Sequence, residues 1–442
     1  MKHRTYLALA LPLTVSTITT PLLGAVDTAV VGWLPDPSYI GGVAIGTIIF
    51  NTMYWLFGFL RVSTSGFTAQ ARGGGDPLEE KSVFLRSFGL ALVIGALFIL
   101  LQWPIVKLAF AIINPDEAVR SLASDYFGIR IWGAPFALMN YVIIGWLMGM
   151  SFIKATLLLQ LWMNATNIVL DILFVKVFSF GVPGVAAATL TAEISAFIIG
   201  LFMIRKFSGI SFQDVKGAGL IKGAPLLKML AVNRDLMIRT ICLLTVFNLF
   251  TAKGASFGTE VLAANAILLQ IHYIMAYFFD GFANASSILT GKAVGSQDER
   301  LFRRTVLLSC QWAGTMALLL TVGYYVFSET IIGLFTNLPE VAQLAEQYSL
   351  WILFFPASAA FGLVLYGAFT GASEVAPVRN SIMLALVVYL VVQFVFIPHL
   401  QNHGLWLAFI SFTIGRSVFL AAYVPSLGRK LFPADRRTAA SN

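Results

Sequence analysis

Four acidic residues lie inside long apolar stretches of the 442-residue sequence: Asp27, Asp171, Glu193 and Asp280. A charged side chain at the centre of a bilayer costs at least about 2.5 kcal/mol on insertion scales, so an acid found there is a functional candidate. The chemistry open to such a group is the binding and release of a proton or a small cation. These four residues are therefore the first candidates for an ion-binding site.

Asp27 and Asp171 form the stronger pair of candidates. At a rise of about 1.5 Å per residue, each reaches the outer half of its predicted membrane helix. Asn167 lies one helical turn before Asp171 on the same face, and Thr189 has a similar depth in the next apolar stretch. Two carboxylates in one low-dielectric site do not both ionise readily, which predicts proton or cation binding. The alternative is that each acid is only hydrogen-bonded to a neighbouring hydroxyl or amide.

Glu193 admits two interpretations, because it either borders a binding chamber or is neutralised by a nearby arginine in a structural pair. Arginines in or near the apolar stretches are expected to extend to the cytoplasmic surface or to bond to carbonyl oxygens, and gating pairs with Asp125, Asp235 or Asp280 are the alternative. These arginines are Arg61, Arg130, Arg234, Arg239 and Arg416.

Pro12 and Pro21 interrupt the apolar stretch that carries Asp27. Each proline removes a helix hydrogen bond, so the helix is predicted to bend, either on ion binding or as a static kink. Methionine and aromatic side chains are predicted to line an adaptable apolar chamber, with lipid-facing or packing roles as the alternative for each. With Glu193, the chamber candidates are Met53, Tyr54, Met139, Tyr141 and Met163.

The sequence offers no catalytic or metal-binding pattern. Its four histidines form no metal-ligand motif, and its two cysteines, Cys242 and Cys310, lie in apolar runs as packing residues. No Walker P-loop is present, which argues against direct use of ATP. We therefore expect neither an enzyme nor a bound cofactor or metal.

The composition indicates an integral membrane protein. Hydrophobic residues make up 58% of the chain and charged residues 11%, and the mean hydropathy is +0.83. A membrane helix needs about 20 apolar residues, so the length allows about a dozen spans. The expected spans are 5–32, 39–70, 83–111, 118–148, 153–178, 183–205, 225–253, 259–290, 303–328, 341–371, 375–397 and 403–427.

The basic residues orient these spans. With the N-terminus inside, the outer segments contain only Lys107, Arg120, Lys176 and Lys253, whereas the inner segments contain most other lysines and arginines. This bias predicts a multi-pass protein of the cytoplasmic (plasma) membrane with both termini in the cytoplasm. It also explains the net charge of +8 by contact with anionic lipid rather than nucleic acid.

The two halves of the sequence indicate an internal duplication. A shift of 222 positions relates Gly73 to Gly295 and Gly145 to Gly367. We therefore expect an all-α fold of twelve transmembrane helices in two six-helix bundles, related by pseudo-twofold symmetry along the membrane normal. The predicted divisions are 1–206, a cytoplasmic linker 207–224 and 225–442. The same shift carries Asp171 onto Gln393 and Asp27 onto Leu249, so the possible coupling carboxylates are confined to the first half.

Three segments resemble the multidrug and toxic compound extrusion (MATE) transporters, most closely their DinF-like branch. They are PLLGAVDTAVVGWL at 21–34, GGVAIGT at 41–47 and LRVSTSGFTAQARG at 60–73, and TGKAVGSQDE at 290–299 adds support. The resemblance implies two bundles around a cleft and export of amphipathic, often cationic compounds by alternating access. It assigns the coupling site to Asp27, Asn167, Asp171 and Thr189, and the bending proline to Pro12.

The NorM-like branch of the family also carries acids in the seventh and tenth spans. This chain has none in the membrane core of its tenth span, where Tyr366, Thr370 and Ser373 are the polar residues, and its seventh-span acid, Asp235, lies near the cytoplasmic end. The difference favours proton coupling in a monomer that acts on small amphipathic molecules. Sodium coupling on the same fold, or a flippase for lipid-linked metabolites, are the alternatives.

Overall fold

The computed structural model describes the backbone of residues 1–31, 37–208 and 223–433. The side chains of residues 20–29, 31 and 37 lie outside that description. Two predicted site residues, Asp27 and Pro21, therefore have no described side chain, and most of the predicted linker 207–224 is also outside the described ranges. Every regular element within those ranges is helical.

The first half folds into nine α-helices within the described residues. Two of the chain segments between them are also helical: a 3-10 turn at Ile131–Gly133 and a π-helix at Ile172–Val177. The α-helices are α1 His3–Val31, α2 Pro37–Phe57, α3 Phe59–Gly74, α4 Pro77–Leu100, α5 Gln102–Ile113, α6 Glu117–Arg130, α7 Ala134–Gly149, α8 Ile153–Asp171 and α9 Gly181–Ser208.

The second half has longer and less interrupted helices. The described ones are α10 Gly223–Ala255, α11 Thr259–Gly295, α12 Glu299–Gly333, α13 Pro339–Gly371, α14 Ala376–Leu400, α15 Asn402–Ala422 and α16 Val424–Leu431. They follow the predicted spans closely, because the same apolar runs that can cross a bilayer also end at polar, glycine or proline residues.

Eleven helical segments within the described residues are long and apolar enough to cross a membrane. Some of them join two successive helices, as at Ser38–Gly74 and Glu117–Gly149. Helix α1, 29 residues long, occupies the position of the remaining predicted span. The prediction of an all-helical, multi-pass membrane fold is confirmed.

The chain forms two compact units. One contains residues 18–72 and 76–229, and the other contains residues 1–17, 73–75 and 230–442. The division along α1 falls between Thr17 and Ile18, so the first part of this helix packs with the second half of the sequence. The predicted boundaries at 206 and 225 remain predictions.

The amino-terminal part of α1 packs closely on α11. The Tyr6 hydroxyl donates a hydrogen bond to the Phe282 carbonyl oxygen at 3.2 Å, and the Thr17 hydroxyl donates one to the Tyr277 carbonyl oxygen at 2.9 Å. Between these contacts, a Cβ at Gly281 would overlap the backbone of Thr14. Glycine is therefore what permits this close approach of the two helices.

Equivalent glycines pack both bundles in the same way. A Cβ at Gly145 would collide with the carbonyl oxygen of Arg61, and a Cβ at Gly367 would collide with that of Ala283. Gly145 and Arg61 lie 222 positions before Gly367 and Ala283, so the same packing contact is present in both halves of the sequence. The next helical turn repeats it with Gly149 against Ser65 and Gly371 against Ser287.

The loops that follow these contacts are also duplicated. The Asp76 carboxylate accepts a hydrogen bond from the Glu79 backbone amide at 3.0 Å, and that of Asp298 accepts one from the Leu301 amide at 2.8 Å. Both aspartates therefore cap a helix N-terminus, which explains their equivalence without any role in ion binding.

We predict that Gly367→Ala lowers the free energy of unfolding by about 1–3 kcal/mol, because the added methyl must push α13 away from α11. Thermal unfolding of the purified protein in detergent measures the change. Gly323→Ala is the control, because a Cβ there meets nothing within 4 Å. Equal stability of the two variants would contradict the packing argument.

Candidate functional site

The predicted ion site is a buried polar cluster between α8 and α9. Asp171 is 0% exposed and Asn167 is 1% exposed. The Asn167 side-chain amide donates a hydrogen bond to the Thr189 hydroxyl at 3.3 Å, and that hydroxyl donates to the Val185 carbonyl oxygen at 3.1 Å. The structure thus brings Asn167 and Thr189 into contact and places Asp171 four residues further along α8 in the same buried region. The fourth predicted residue, Asp27, has its side chain outside the described residues.

The sequence explains how this cluster forms. Asn167 and Asp171 are four residues apart on α8, which places them on one helical face, and α9 returns alongside so that Thr189 meets that face. The Asn167 side-chain oxygen is buried and accepts no hydrogen bond from the described residues. The cluster therefore contains an acceptor able to receive a proton donor or to coordinate a cation.

A π-helix begins directly after Asp171. It covers Ile172–Val177, and the Phe178 backbone amide donates to the Leu173 carbonyl oxygen five residues back at 3.0 Å. Such wide turns are rare and often lie at functional sites, because an extra residue in the turn reorients nearby side chains. The apolar sequence pattern contains no signal for it beyond the turn that follows, where Ser179 and Gly181 have positive φ.

Glu193 forms a buried ion pair with Arg130. The two guanidinium Nη atoms each donate to a different carboxylate oxygen at 2.7 Å, and the residues are 8% and 6% exposed. This two-bond geometry is among the strongest side-chain interactions in proteins. The surroundings of Glu193 are therefore those of the second interpretation, a structural pair with an arginine. Arg130 neutralises the Glu193 carboxylate within the bundle.

The expectation that Arg130 extends to the cytoplasmic surface is wrong. Arg130 ends α6 where the 3-10 turn interrupts the Glu117–Gly149 segment, far from either end of that segment. Its guanidinium lies 5.3 Å from the ring centre of Phe50 and 5.5 Å from that of Tyr54, so aromatic faces add to its stabilisation. A Cβ at Gly133 would meet Glu193 Oε2 at 2.8 Å and Arg130 Nη1 at 3.0 Å, so a side chain there would have to displace the pair.

The other predicted chamber residues differ in burial and in contact with this ion pair. Tyr54 belongs to it, since its hydroxyl accepts a hydrogen bond from Arg130 at 3.4 Å. Met139 is buried in α7, whereas Met53, Tyr141 and Met163 are half-buried. A shared binding chamber for these residues remains a prediction.

The second bundle has no matching acidic site. Position 393, which corresponds to Asp171, is Gln393, and position 389, which corresponds to Asn167, is the fully buried Tyr389. Asp235 near the start of α10 is paired with Arg379 at 2.9 Å and with Arg234 at 2.9 Å. Pairing of Arg234 with Asp235 is the alternative given above for the arginines. Within the described ranges, no three histidine, cysteine or acidic residues form a metal-type cluster.

Comparison with known sequences identifies the family. The sequence model described as MatE matches residues 12–173 and again residues 236–396. The chain belongs to the MatE family. The two matches fall one in each half, as the internal duplication requires, and MatE proteins are transporters rather than enzymes. The MatE chain is therefore a multi-pass membrane transporter, and the resemblance found in its sequence is confirmed.

Individual relatives agree with this assignment. The MatE chain is 39% identical over 419 residues to DNA damage-inducible protein F of Escherichia coli, covering 94% of this chain and 90% of that protein. It is 23% identical to the "Probable multidrug resistance protein NorM" of Bacillus anthracis, covering 100% and 97%. A solved structure titled as the outward-facing conformation of a multidrug resistance MATE family transporter has a TM-score of 0.88 at 19% identity, covering 97% and 96%, which shows the shared fold.

We predict that Arg130→Gln or Glu193→Gln alone lowers the free energy of unfolding by about 3–5 kcal/mol, because each leaves a buried charge without its partner. The double variant is expected to lose less than the sum of the two. A double-mutant cycle on unfolding in mixed micelles measures the coupling.

The pair Arg303 and Glu299, 2.7 Å apart with side chains 72% and 25% exposed, is the control and should show a coupling of no more than about 1 kcal/mol. Additive effects at Arg130 and Glu193 would show that the two charges do not stabilise each other.

Proposed function

We propose that this MatE transporter exports small amphipathic, often cationic organic molecules from the cell in exchange for protons. The observation that carries the proposal is the buried cluster of Asp171, Asn167 and Thr189 in the first bundle. Several relatives bear names such as "Probable multidrug resistance protein NorM", which supports the substrate class. In this proposal the protein is a monomer in the plasma membrane with both termini in the cytoplasm.

A proton is the coupling ion that best suits this site. An ionised Asp171 with no exposed surface is costly in a low-dielectric environment, and binding a proton removes that cost. The carboxyl group then becomes a hydrogen-bond donor, for which the unused Asn167 oxygen is a suitable acceptor nearby. Glu193 contributes little to coupling in this scheme, because Arg130 already neutralises it.

Sodium is the second candidate, favoured by the oxygen atoms that Asp171, Asn167 and Thr189 place in one cluster. Hard cations prefer such carboxylate, amide and hydroxyl oxygens. The second bundle adds no acid at the corresponding position, so a sodium site would rest on the first bundle alone.

Helix α1 is the element that we expect to link ion binding to transport. Its first 17 residues pack with the second half of the sequence and its later residues with the first half, and this division falls between Pro12 and Pro21. Both prolines lack the amide hydrogen that a straight helix would use, which makes the segment between them the easiest to bend. A change of charge at Asp27 and Asp171 would act on that segment.

We predict that Asp171→Asn abolishes proton-linked efflux, because asparagine keeps the size and the hydrogen bonds but cannot exchange a proton. Proteoliposomes with a fluorescent pH indicator measure proton release on addition of ethidium, a membrane-permeable organic cation. Asp76→Asn is the control, because asparagine caps a helix as well as aspartate does. Unchanged ethidium-dependent proton release in Asp171→Asn would overturn the coupling role.

The same vesicles separate the two coupling ions. An imposed pH gradient without a sodium gradient is expected to drive ethidium uptake by the parent protein, and an imposed sodium gradient without a pH gradient is expected to drive none. The reverse result would assign the site to sodium.

A further inference from the structure

The end of α3 touches the end of α11. Gly73 and Gly74 belong to the compact unit that contains residues 230–442. A Cβ at Gly73 would overlap the backbone of Lys292. A Cβ at Gly74 would lie 3.4 Å from the Gly295 carbonyl oxygen. Backbone therefore meets backbone at this place with no side chain between the two helices, and we call these four residues the tip contact.

The two helix ends are equivalent in the internal duplication. Gly295 follows Gly73 by 222 positions, and each end leads into a loop whose aspartate caps the next helix. Two equivalent segments can meet only near the symmetry axis that relates them. In transporters built from repeats the substrate site lies at the interface of the repeats, and on the predicted topology both ends are cytoplasmic. The tip contact is therefore suitably placed to close a substrate path on the cytoplasmic side.

Each end completes its backbone hydrogen bonds within its own chain segment. The Asp76 amide donates to the Ala71 carbonyl oxygen at 3.1 Å, and the Asp298 amide donates to the Ala293 carbonyl oxygen at 2.9 Å. In the described part of the chain, no backbone hydrogen bond crosses the tip contact. Parting the two ends would therefore break no backbone hydrogen bond and would expose mainly glycine.

The first 17 residues of the chain dock on α11 and α12 in a different way. Two hydroxyl groups of this segment donate hydrogen bonds to α11, as described above. In addition, the Arg304 Nε donates to the Met1 carbonyl oxygen at 3.4 Å, and the rings of His3 and Trp312 pack edge to face with centres 6.0 Å apart. Parting this segment from α11 and α12 would break all three hydrogen bonds and expose aromatic side chains. We call residues 1–17 the α1 anchor.

We infer that the tip contact is a cytoplasmic gate, which opens during the transport cycle while the α1 anchor stays docked. Hydrogen bonds lost without replacement are costly, so the interface that has none across its backbone is the one that separates. Its opening gives an organic molecule in the cytoplasm access to the interior of the protein. The inference rests on the proposed export of such molecules, but not on the identity of the coupling ion.

Reversible cross-linking in proteoliposomes tests the gate. The parent for this test has Cys242→Ala and Cys310→Ala, and the exposed positions Gly74→Cys and Ser296→Cys are joined by dithiobismaleimidoethane, which dithiothreitol cleaves. We expect the cross-link to lower ethidium uptake under a pH gradient by about tenfold or more, because a closed gate stops the cycle. Dithiothreitol should restore the uptake.

The matched control joins the α1 anchor to α12 with the same reagent, through His3→Cys and Trp312→Cys. Each pair is compared with its own form before cross-linking. The anchor cross-link should leave ethidium uptake unchanged, because these two segments do not part. Full uptake by the cross-linked tip pair, or equal inhibition by both cross-links, would overturn the inference.

Electron paramagnetic resonance separates failure of the gate from failure of the proposed function, because it needs neither uptake nor a proton gradient. Nitroxide labels at positions 74 and 296 in nanodiscs are expected to give two populations of distances, one short and one long. Labels at positions 3 and 312 should give one. A single short distance at the tip contact at every pH, with and without ethidium, would overturn the gate even in a protein that exports ethidium.

Gly73→Ala tests the close approach itself. The added methyl would overlap the Lys292 backbone and hinder closure, so we expect the pair at positions 74 and 296 to cross-link about fivefold more slowly. Gly89→Ala is the control, because a Cβ there meets nothing within 4 Å. Equal cross-linking rates in the two variants would show that closure does not depend on this glycine and would contradict the inferred gate.

Discussion

An uncompensated charge inside a bilayer raises the free energy of the folded protein, and this cost determines how each ionisable residue of the chain must be placed. The structure contains two different responses to it. Glu193 and Arg130 neutralise each other through two hydrogen bonds at 2.7 Å. Asp171 is enclosed with an amide and a hydroxyl nearby, where a proton or cation could remove its charge.

The Arg130–Glu193 pair neutralises two buried charges and also fixes α6 against α9, so it stabilises the bundle that contains Asn167, Asp171 and Thr189. In the proposed coupling scheme Asp171 gains and loses charge, and a rigid neighbour matters there because the change must move a chosen element rather than relax into the surrounding packing. Helix α1 is the suitable element, since its two ends pack in different compact units.

The sequence was sufficient to predict the helices and the shared face of Asn167 and Asp171, because both depend on local patterns. Apolar runs delimit the spans, and the four-residue spacing of Asn167 and Asp171 already places them on one face. It was insufficient for the ion pair, because Arg130 and Glu193 are 63 positions apart and meet only when α6 and α9 pack. The π-helix after Asp171 was missed for a related reason, since its extra residue per turn leaves no periodic signal in a uniformly apolar segment.

The duplication explains why the two bundles can differ so much in charge. Their glycine contacts, at Gly145 and Gly367, pack backbone against backbone and do not depend on the side chains that line the interior. Substitutions at interior positions therefore leave the scaffold intact, and Asp171 in one copy can correspond to Gln393 in the other.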